Sequence, residues 1–204
     1  MSPGVVGTGE GIWLRRKVFH TTVGVVFLLS IFLFDQFKWF YLFVLGCGIV
    51  LSYVMEKKPI RFIKWFLDRY DKLEDIVPGQ GPITFFAGAL FSWFVFGWEP
   101  AAVSIIVLSF GDPLAYVMGE AIGGPKIPWN RRKTVAGSLS FTVFPFLLIS
   151  LLWNPLLGLL AAGLGAIGES LPLPNRLVTD DNMIIPLTVS AGIWVLSMLI
   201  PGLV

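Results

Sequence analysis

Two stretches of the chain gather side chains that could do chemistry, "GDPLAYVMGE" at 111–120 and "GGPKIPWNRRKTVAGS" at 123–138. The first sets Asp112 against Pro113 inside an apolar run and ends in Glu120. The second places Lys126, Arg131, Arg132 and Lys133 ahead of Thr134, Gly137 and Ser138. Arg16, Lys17, His20 and Glu56 stand before them, and Glu169, Asp180, Asp181 and Asn182 after them. Carboxylate oxygens for a hard cation, cations for phosphate charge and a base for a hydroxyl proton are the parts that metal-assisted phosphoryl transfer requires. Each group also has a plainer account: basic side chains sorted to one side of a membrane, His20 and Glu56 at an interface, Asp180 to Asn182 capping a helix. His20 is the only histidine and Cys47 the only cysteine. That excludes a His/Cys zinc cluster and an intrachain disulfide, and leaves oxygen ligands and magnesium. The P-loop spacing and the protein-kinase motif set are both absent.

Membrane-spanning helices must carry these groups. Of 204 residues, 55% are hydrophobic and 14% charged, with a mean hydropathy of +0.79, too apolar for a wetted surface. Lipid offers no partner for unpaired backbone groups and no series of alternating strands appears, so the fold class is all-α, a polytopic membrane protein. Apolar runs predict seven transmembrane helices: Val18 to Phe34, Trp39 to Met55, Ile83 to Trp98, Ala101 to Gly119, Val135 to Trp153, Pro155 to Leu171 and Ile184 to Ile200. Residues 1–14 read as a flexible, Gly-rich tail without the basic-then-apolar order of a signal peptide, so the first span is expected to be retained.

With alternating spans, every Lys and Arg except Lys38 falls on one side, which the positive-inside rule makes cytoplasmic. The N-terminus lies there and the C-terminus outside. In the cytoplasmic loop at 56–80, Ile60, Ile63, Leu67 and Tyr70 recur at helical spacing, which fits a helix in the headgroup layer or a solvated charged loop. Nothing divides residues 1–204, which read as a single integral-membrane catalytic domain. No nucleic-acid partner is expected, and the oligomeric state is left open.

At about 1.5 Å per residue from Ala101, Asp112 lies roughly 16 Å deep, close to the midplane of a ~30 Å core. An Asp-Pro pair suits an N-cap and first helical position, and the residue before proline is pushed out of the α region. The expectation is a broken helix four that ends near Gly111 and restarts at Asp112, its N–H groups lining a cavity suited to metal-bound phosphate. The alternative is a kinked helix with Asp112 paired to a buried Arg or Lys. Ala115, Gly119 and Gly123 form a small-xxx-small stripe for close helix packing.

"RKVFH" (16–20), "GD" (111–112) with Ala115 and Gly119 after it, "RKT" and "GS" (132–138), Glu169, and "DDNMIIPL" (180–187) resemble, in this order, the polyprenol kinase family of dolichol, phytol and CTP-dependent diacylglycerol kinases. The centre of the pattern is shared in outline with phosphatidate cytidylyltransferases, whose histidine-diglycine and D-R-x-D ending is missing here. The resemblance covers Arg16 to Leu187. It implies transfer of the γ-phosphate of a nucleoside triphosphate, commonly CTP, to the hydroxyl of a membrane-dissolved isoprenoid alcohol or diacylglycerol, with Mg²⁺.

On this reading Asp112, His20 and Glu169 are catalytic, and Asp112, Asp180 and Asp181 hold the metal. Lys126, Arg131, Arg132, Lys133, Thr134, Gly137, Ser138 and Asn182 bind the nucleotide. Arg16, Lys17, Glu56 and Glu120 complete the polar pocket. The site faces the cytoplasm, from the cell membrane in a prokaryote or the endoplasmic reticulum in a eukaryote. A cytidylyltransferase making a CDP-lipid is one alternative. A small anion or ion transporter is another, because a midplane carboxylate at a half-helix serves ion passage equally well.

Overall fold

The computed structural model describes residues 6–71, 75–174 and 177–204, with side chains from Leu14 onward. Residues 1–5 of the expected tail, and Lys72 and Arg176 of the charge argument, lie outside the described residues. The helices are α1 (Val6–Leu33), α2 (Phe37–Lys57), α3 (Arg61–Tyr70), α4 (Gln80–Phe96), α5 (Trp98–Ile106), α6 (Asp112–Ile122), α7 (Val135–Leu152), α8 (Pro155–Ser170) and α9 (Asp181–Leu199). A π turn (Val107–Gly111) joins α5 to α6, and a hairpin of β1 (Lys126–Ile127) and β2 (Asn130–Thr134) joins α6 to α7. All seven apolar runs of the sequence are helical. Among the described residues, five helices are long and apolar enough to cross a membrane: Leu14–Leu33 of α1, α2, the continuous Trp98–Ile122, α7 and α9. The apolar α4 and α8 are shorter, at 17 and 16 residues.

Three helices begin where a polar side chain can accept an orphan backbone N–H. Thr134 caps α7 through Gly137 N at 3.1 Å, Asn154 caps α8 through Leu157 N at 2.8 Å, and Asp180 caps α9 through Asn182 N at 3.0 Å. α5 is the centre of the bundle: Pro100 to Ser109 are all buried, packed against α1, α4, α7, α8 and α9. α2 lies at the edge, with only Tyr41, Ser52 and Met55 buried. The loop at 56–80 does contain a helix, α3, with no buried residue and with Phe62 and Trp65 exposed.

α1 extends back to Val6, into the expected tail. Gly7, Gly9 and Gly11 weaken helix formation, but a helix already nucleated by its packed part propagates at one hydrogen bond per residue.

The largest correction concerns helix four, which is continuous. Gly111 and Asp112 are both right-handed helical, at φ −65°, ψ −53° and φ −62°, ψ −43°. The wider π turn absorbs the crowding that a break was expected to relieve. Pro113 has no N–H to return to the Ser109 carbonyl. Thr21 Oγ1 of α1 donates to that carbonyl instead, at 2.9 Å. The approach is tight, since a Cβ on Gly24 of α1 would lie 1.9 Å from Ser109 Oγ.

The small-residue stripe is two-thirds right. A Cβ on Gly137 of α7 would lie 2.8 Å from the Ala115 carbonyl oxygen, and one on Gly119 would lie 2.9 Å from Thr134 Oγ1, so α6 and α7 touch backbone to backbone. Gly123 instead ends α6 at φ +64°, a value that favours glycine. The basic stretch at 123–138 contains an antiparallel hairpin with Lys126 opposite Thr134 and Ile127 opposite Asn130. Its two-residue first strand is too short to show a period.

Candidate active site

The middle of α1, one face of α6, the hairpin and the start of α9 surround a cavity of ≈ 690 Å³. Arg16, Lys17 and His20 reach it from α1, and Asp112, Tyr116 and Glu120 from α6. Lys126, Asn130, Arg131, Arg132, Lys133 and Thr134 come from the hairpin, and Asp180, Asp181 and Asn182 from the start of α9. Four-residue spacing puts Asp112, Tyr116 and Glu120 on one helix face.

Lys17 Nζ donates to Asp112 Oδ2 at 2.5 Å, with the two side chains 10% and 16% exposed. Asp112 is therefore the paired carboxylate of the alternative reading. The sequence argument missed the partner because Lys17 was grouped with the basic tail, whereas it lies just inside the apolar part of α1, Leu14–Leu33. Asp112 lies roughly 21 Å along the continuous Trp98–Ile122 helix from Trp98 at 1.5 Å per residue, close to the middle of that helix. His20, one turn beyond Lys17, stands edge-on to Phe85 with ring centroids 5.1 Å apart. Lys17 Nζ also lies 5.8 Å from the centre of the Tyr116 ring.

On the hairpin, Lys133 differs from its neighbours. Its ammonium pairs with Glu169 Oε1 at 2.9 Å and Asp181 Oδ2 at 3.1 Å. Burial alone would lower the Lys133 pKa, but the Asp181 and Glu169 carboxylates outweigh it and hold the group above its usual value. Ser138 Oγ donates to Glu169 Oε2 at 3.0 Å. Glu169 is 2% exposed and lies behind the cavity wall, as do Ser138 and Gly137. Glu169, expected to be catalytic, and Gly137 and Ser138, expected to bind the nucleotide, do not line the cavity; Glu169 contacts Lys133 and Ser138, and Gly137 N donates to Thr134 Oγ1. Among the described residues Lys126, Arg131 and Arg132 have no ion-pair partner.

The start of α9 is held from below by α4. Asp180 Oδ1 accepts from Asn182 N at 3.0 Å and Thr84 Oγ1 at 3.2 Å, and Oδ2 accepts from Gln80 Nε2 at 3.4 Å. Asn182 Nδ2 donates to the Gly81 carbonyl at 3.1 Å and to Thr84 Oγ1 at 3.3 Å. Asp180 thus caps α9, and the other carboxylates that line the cavity are Asp112, Glu120 and Asp181. Among the described residues no three His, Cys, Asp or Glu side chains form a metal cage. Magnesium ordinarily takes one or two carboxylates together with phosphate oxygens, and this hard-oxygen donor set fits that pattern.

Arg16 forms an ion pair with Asp75 at 3.4 Å. Nearby, Asp71 accepts the Gly79 N–H at 2.8 Å. Burial pushes the Asp71 carboxyl up to about 6 against that hydrogen bond, with Asp75 adding and Arg16 opposing.

Glu56 is not part of the site. It is exposed at the end of the peripheral α2, and does not line the cavity. Tyr116, Asn130, Gln80 and Thr84 were missed. Tyr116 was recoverable from its place four residues after Asp112. Gln80 and Thr84 sit at the start of an apolar run where a buried Gln, 0% exposed, asks for a partner. Asn130, which donates to the Ser170 and Leu171 carbonyls at 3.2 Å each, left no such signal.

The sequence matches no family model, and no solved structure matches it. Curated relatives do. It is 32% identical over 197 residues to a probable chloroplastic phytol kinase of Zea mays, covering 85% of this chain and 63% of that protein. It is 31% identical over 198 residues to phytol kinase 1, chloroplastic, of Arabidopsis thaliana, with 85% and 63% covered. To the probable phytol kinase 3, chloroplastic, of Glycine max it is 28% identical over 205 residues, with 86% and 60% covered. The chain thus spans somewhat over three fifths of the length of these relatives.

Proposed function

The chain belongs with the polyprenol and phytol kinases, and from that premise we propose that it transfers the γ-phosphate of CTP to the hydroxyl of a membrane-dissolved isoprenoid alcohol. The observation that carries this reading is one cavity lined both by Asp112 and Asp181 and by Lys126, Arg131 and Arg132, cations with no ion-pair partner among the described residues. Guanidinium groups and an ammonium on a hairpin suit a flexible polyphosphate. Lys17 holds Asp112 by Oδ2, and Oδ1 has no partner among the described residues. Asp112 accepts the acceptor's hydroxyl proton as that oxygen bonds to the γ-phosphorus and the bond to the β-phosphate oxygen breaks, releasing the nucleoside diphosphate. Asp112 and Asp181 would hold a magnesium ion, which when bound offsets the charge developing on the phosphoryl oxygens. Asp180, Asn182, Glu169 and Lys133 keep these groups in place, and His20 borders Asp112. The concentration of basic residues on one side supports a cytoplasm-type face for the cavity.

The test is purified protein in lipid nanodiscs with phytol, a dolichol or a diacylglycerol, and CTP, ATP, GTP or UTP carrying the label on the γ-phosphate, with Mg²⁺ or with chelator. The expected result is labelled isoprenoid phosphate with CTP, lost on chelation. Incorporation of an α-phosphate label into lipid, or no labelled lipid in any pairing, overturns the proposal.

A further inference from the structure

A second cavity, of ≈ 430 Å³, lies between α1 and α6. Val18, Val25 and Val26 line it from α1, and Pro113, Leu114 and Val117 from α6. Thr21 and Thr22 also border it, but their hydroxyls are spent on the Ser109 and Val18 carbonyls, both at 2.9 Å. The wall is therefore apolar almost throughout. Val18, Val26 and Val117 are 60%, 53% and 40% exposed, on helices long enough to cross a membrane, so the groove opens to lipid. Among the described residues Lys17 alone lines both this groove and the polar cavity, and Lys17 is the partner of Asp112.

We infer that the groove holds the first part of the acceptor's isoprenoid chain and delivers its hydroxyl past Lys17 to Asp112. This rests on the kinase reading of the polar cavity and adds the acceptor's place and class. An apolar channel that meets the polar cavity at one residue suits an amphiphile with one chain and one terminal hydroxyl. A diacylglycerol brings two acyl chains to the same mouth, and the groove between two helices offers one path. Consecutive residues on a helix point about 100° apart, so Asp112 lines the polar cavity while Pro113 lines the groove.

Two measurements test this. Val18→Trp and Val117→Trp, both at exposed positions on the groove, are expected to raise the KM for phytol about tenfold or more without moving the KM for nucleotide. A phytol analogue carrying a diazirine on its chain, irradiated in nanodiscs without nucleotide, is expected to label residues 18–26 and 113–117, with competition by phytol and not by dioleoylglycerol. Unchanged phytol KM in both variants, labelling elsewhere, or equal competition by dioleoylglycerol overturns the inference. Labelling confined to the groove in a protein that phosphorylates no alcohol would leave the groove standing and remove the kinase reading. Normal phosphorylation of phytol in both Trp variants would do the reverse.

Discussion

Replacing Lys133 with methionine keeps the bulk of the side chain and deletes the charge that joins β2 to α8 and α9. Glu169, 2% exposed, is left with Ser138 as its partner, and Asp181, 37% exposed, loses an ion pair close to solvent. Breaking one side of a fully buried pair costs about 3–5 kcal/mol. Lys133 is itself 24% exposed, so water entering the gap reduces the Glu169 share to about 2–3 kcal/mol, and the wetter Asp181 pair adds about 1 kcal/mol or less.

Glu169→Gln in the same chain removes the stranded charge and keeps an acceptor for Ser138. The double variant is therefore expected to be more stable than Lys133→Met alone, by about 1–2 kcal/mol. The folded-state pKa of Lys133 is raised, so its stabilisation is complete below the ordinary lysine value of 10.5 and is lost only as pH rises through the higher folded value. The gap between wild type and Lys133→Met should thus stay constant through neutral and mildly alkaline pH. Denaturant unfolding in micelles, followed by tryptophan fluorescence, measures all three quantities. If Lys133→Met unfolds like the wild type yet loses nucleotide affinity by a hundredfold, Lys133 is a phosphate ligand and the structural assignment is wrong.

Asp112→Asn should lower phosphorylation about 10²–10⁴-fold, while Glu56→Gln leaves the rate within about twofold, both read from labelled lipid in nanodiscs. Thr21→Val strands the Ser109 carbonyl and should cost about 1–3 kcal/mol in the same unfolding assay. Adding Pro113→Ala, which returns an N–H to that carbonyl, should recover most of it. Asp71 titrates near 6 in the folded protein against a reference of 3.8, so the folded state binds the extra proton. Stability should fall as pH rises from about 4 to about 6, and Asp71→Asn, which still accepts from Gly79, should flatten that slope.

Lipid made the helices readable: a run such as Val135 to Trp153 has no other way to satisfy its backbone, and every apolar run of this kind is helical. Short-range chemistry was readable too. Asp180 caps the helix that follows it, as its place ahead of an apolar run suggested. Pairings across long separations were not. Lys17 meets Asp112 across 95 residues, and Gln80 meets Asp180 across 100, with no periodicity linking them. The break expected at Asp112-Pro113 failed for the same reason. The local cost of proline was correctly seen, but its remedy, Thr21, lies 88 residues away from the Ser109 carbonyl.

That remote remedy has a consequence for biosynthesis. α1 leaves the ribosome well before α6, carrying Lys17 into an apolar segment when Asp112 has yet to be made. The lysine can reach back toward the headgroups until α6 arrives. Asp180 and Asn182, which close the far wall, are made later still and must settle on Gln80 and Thr84 of a helix already in place. The polar pocket therefore comes into being only once α9 has been made, and a nascent chain that has not reached α9 holds its parts apart.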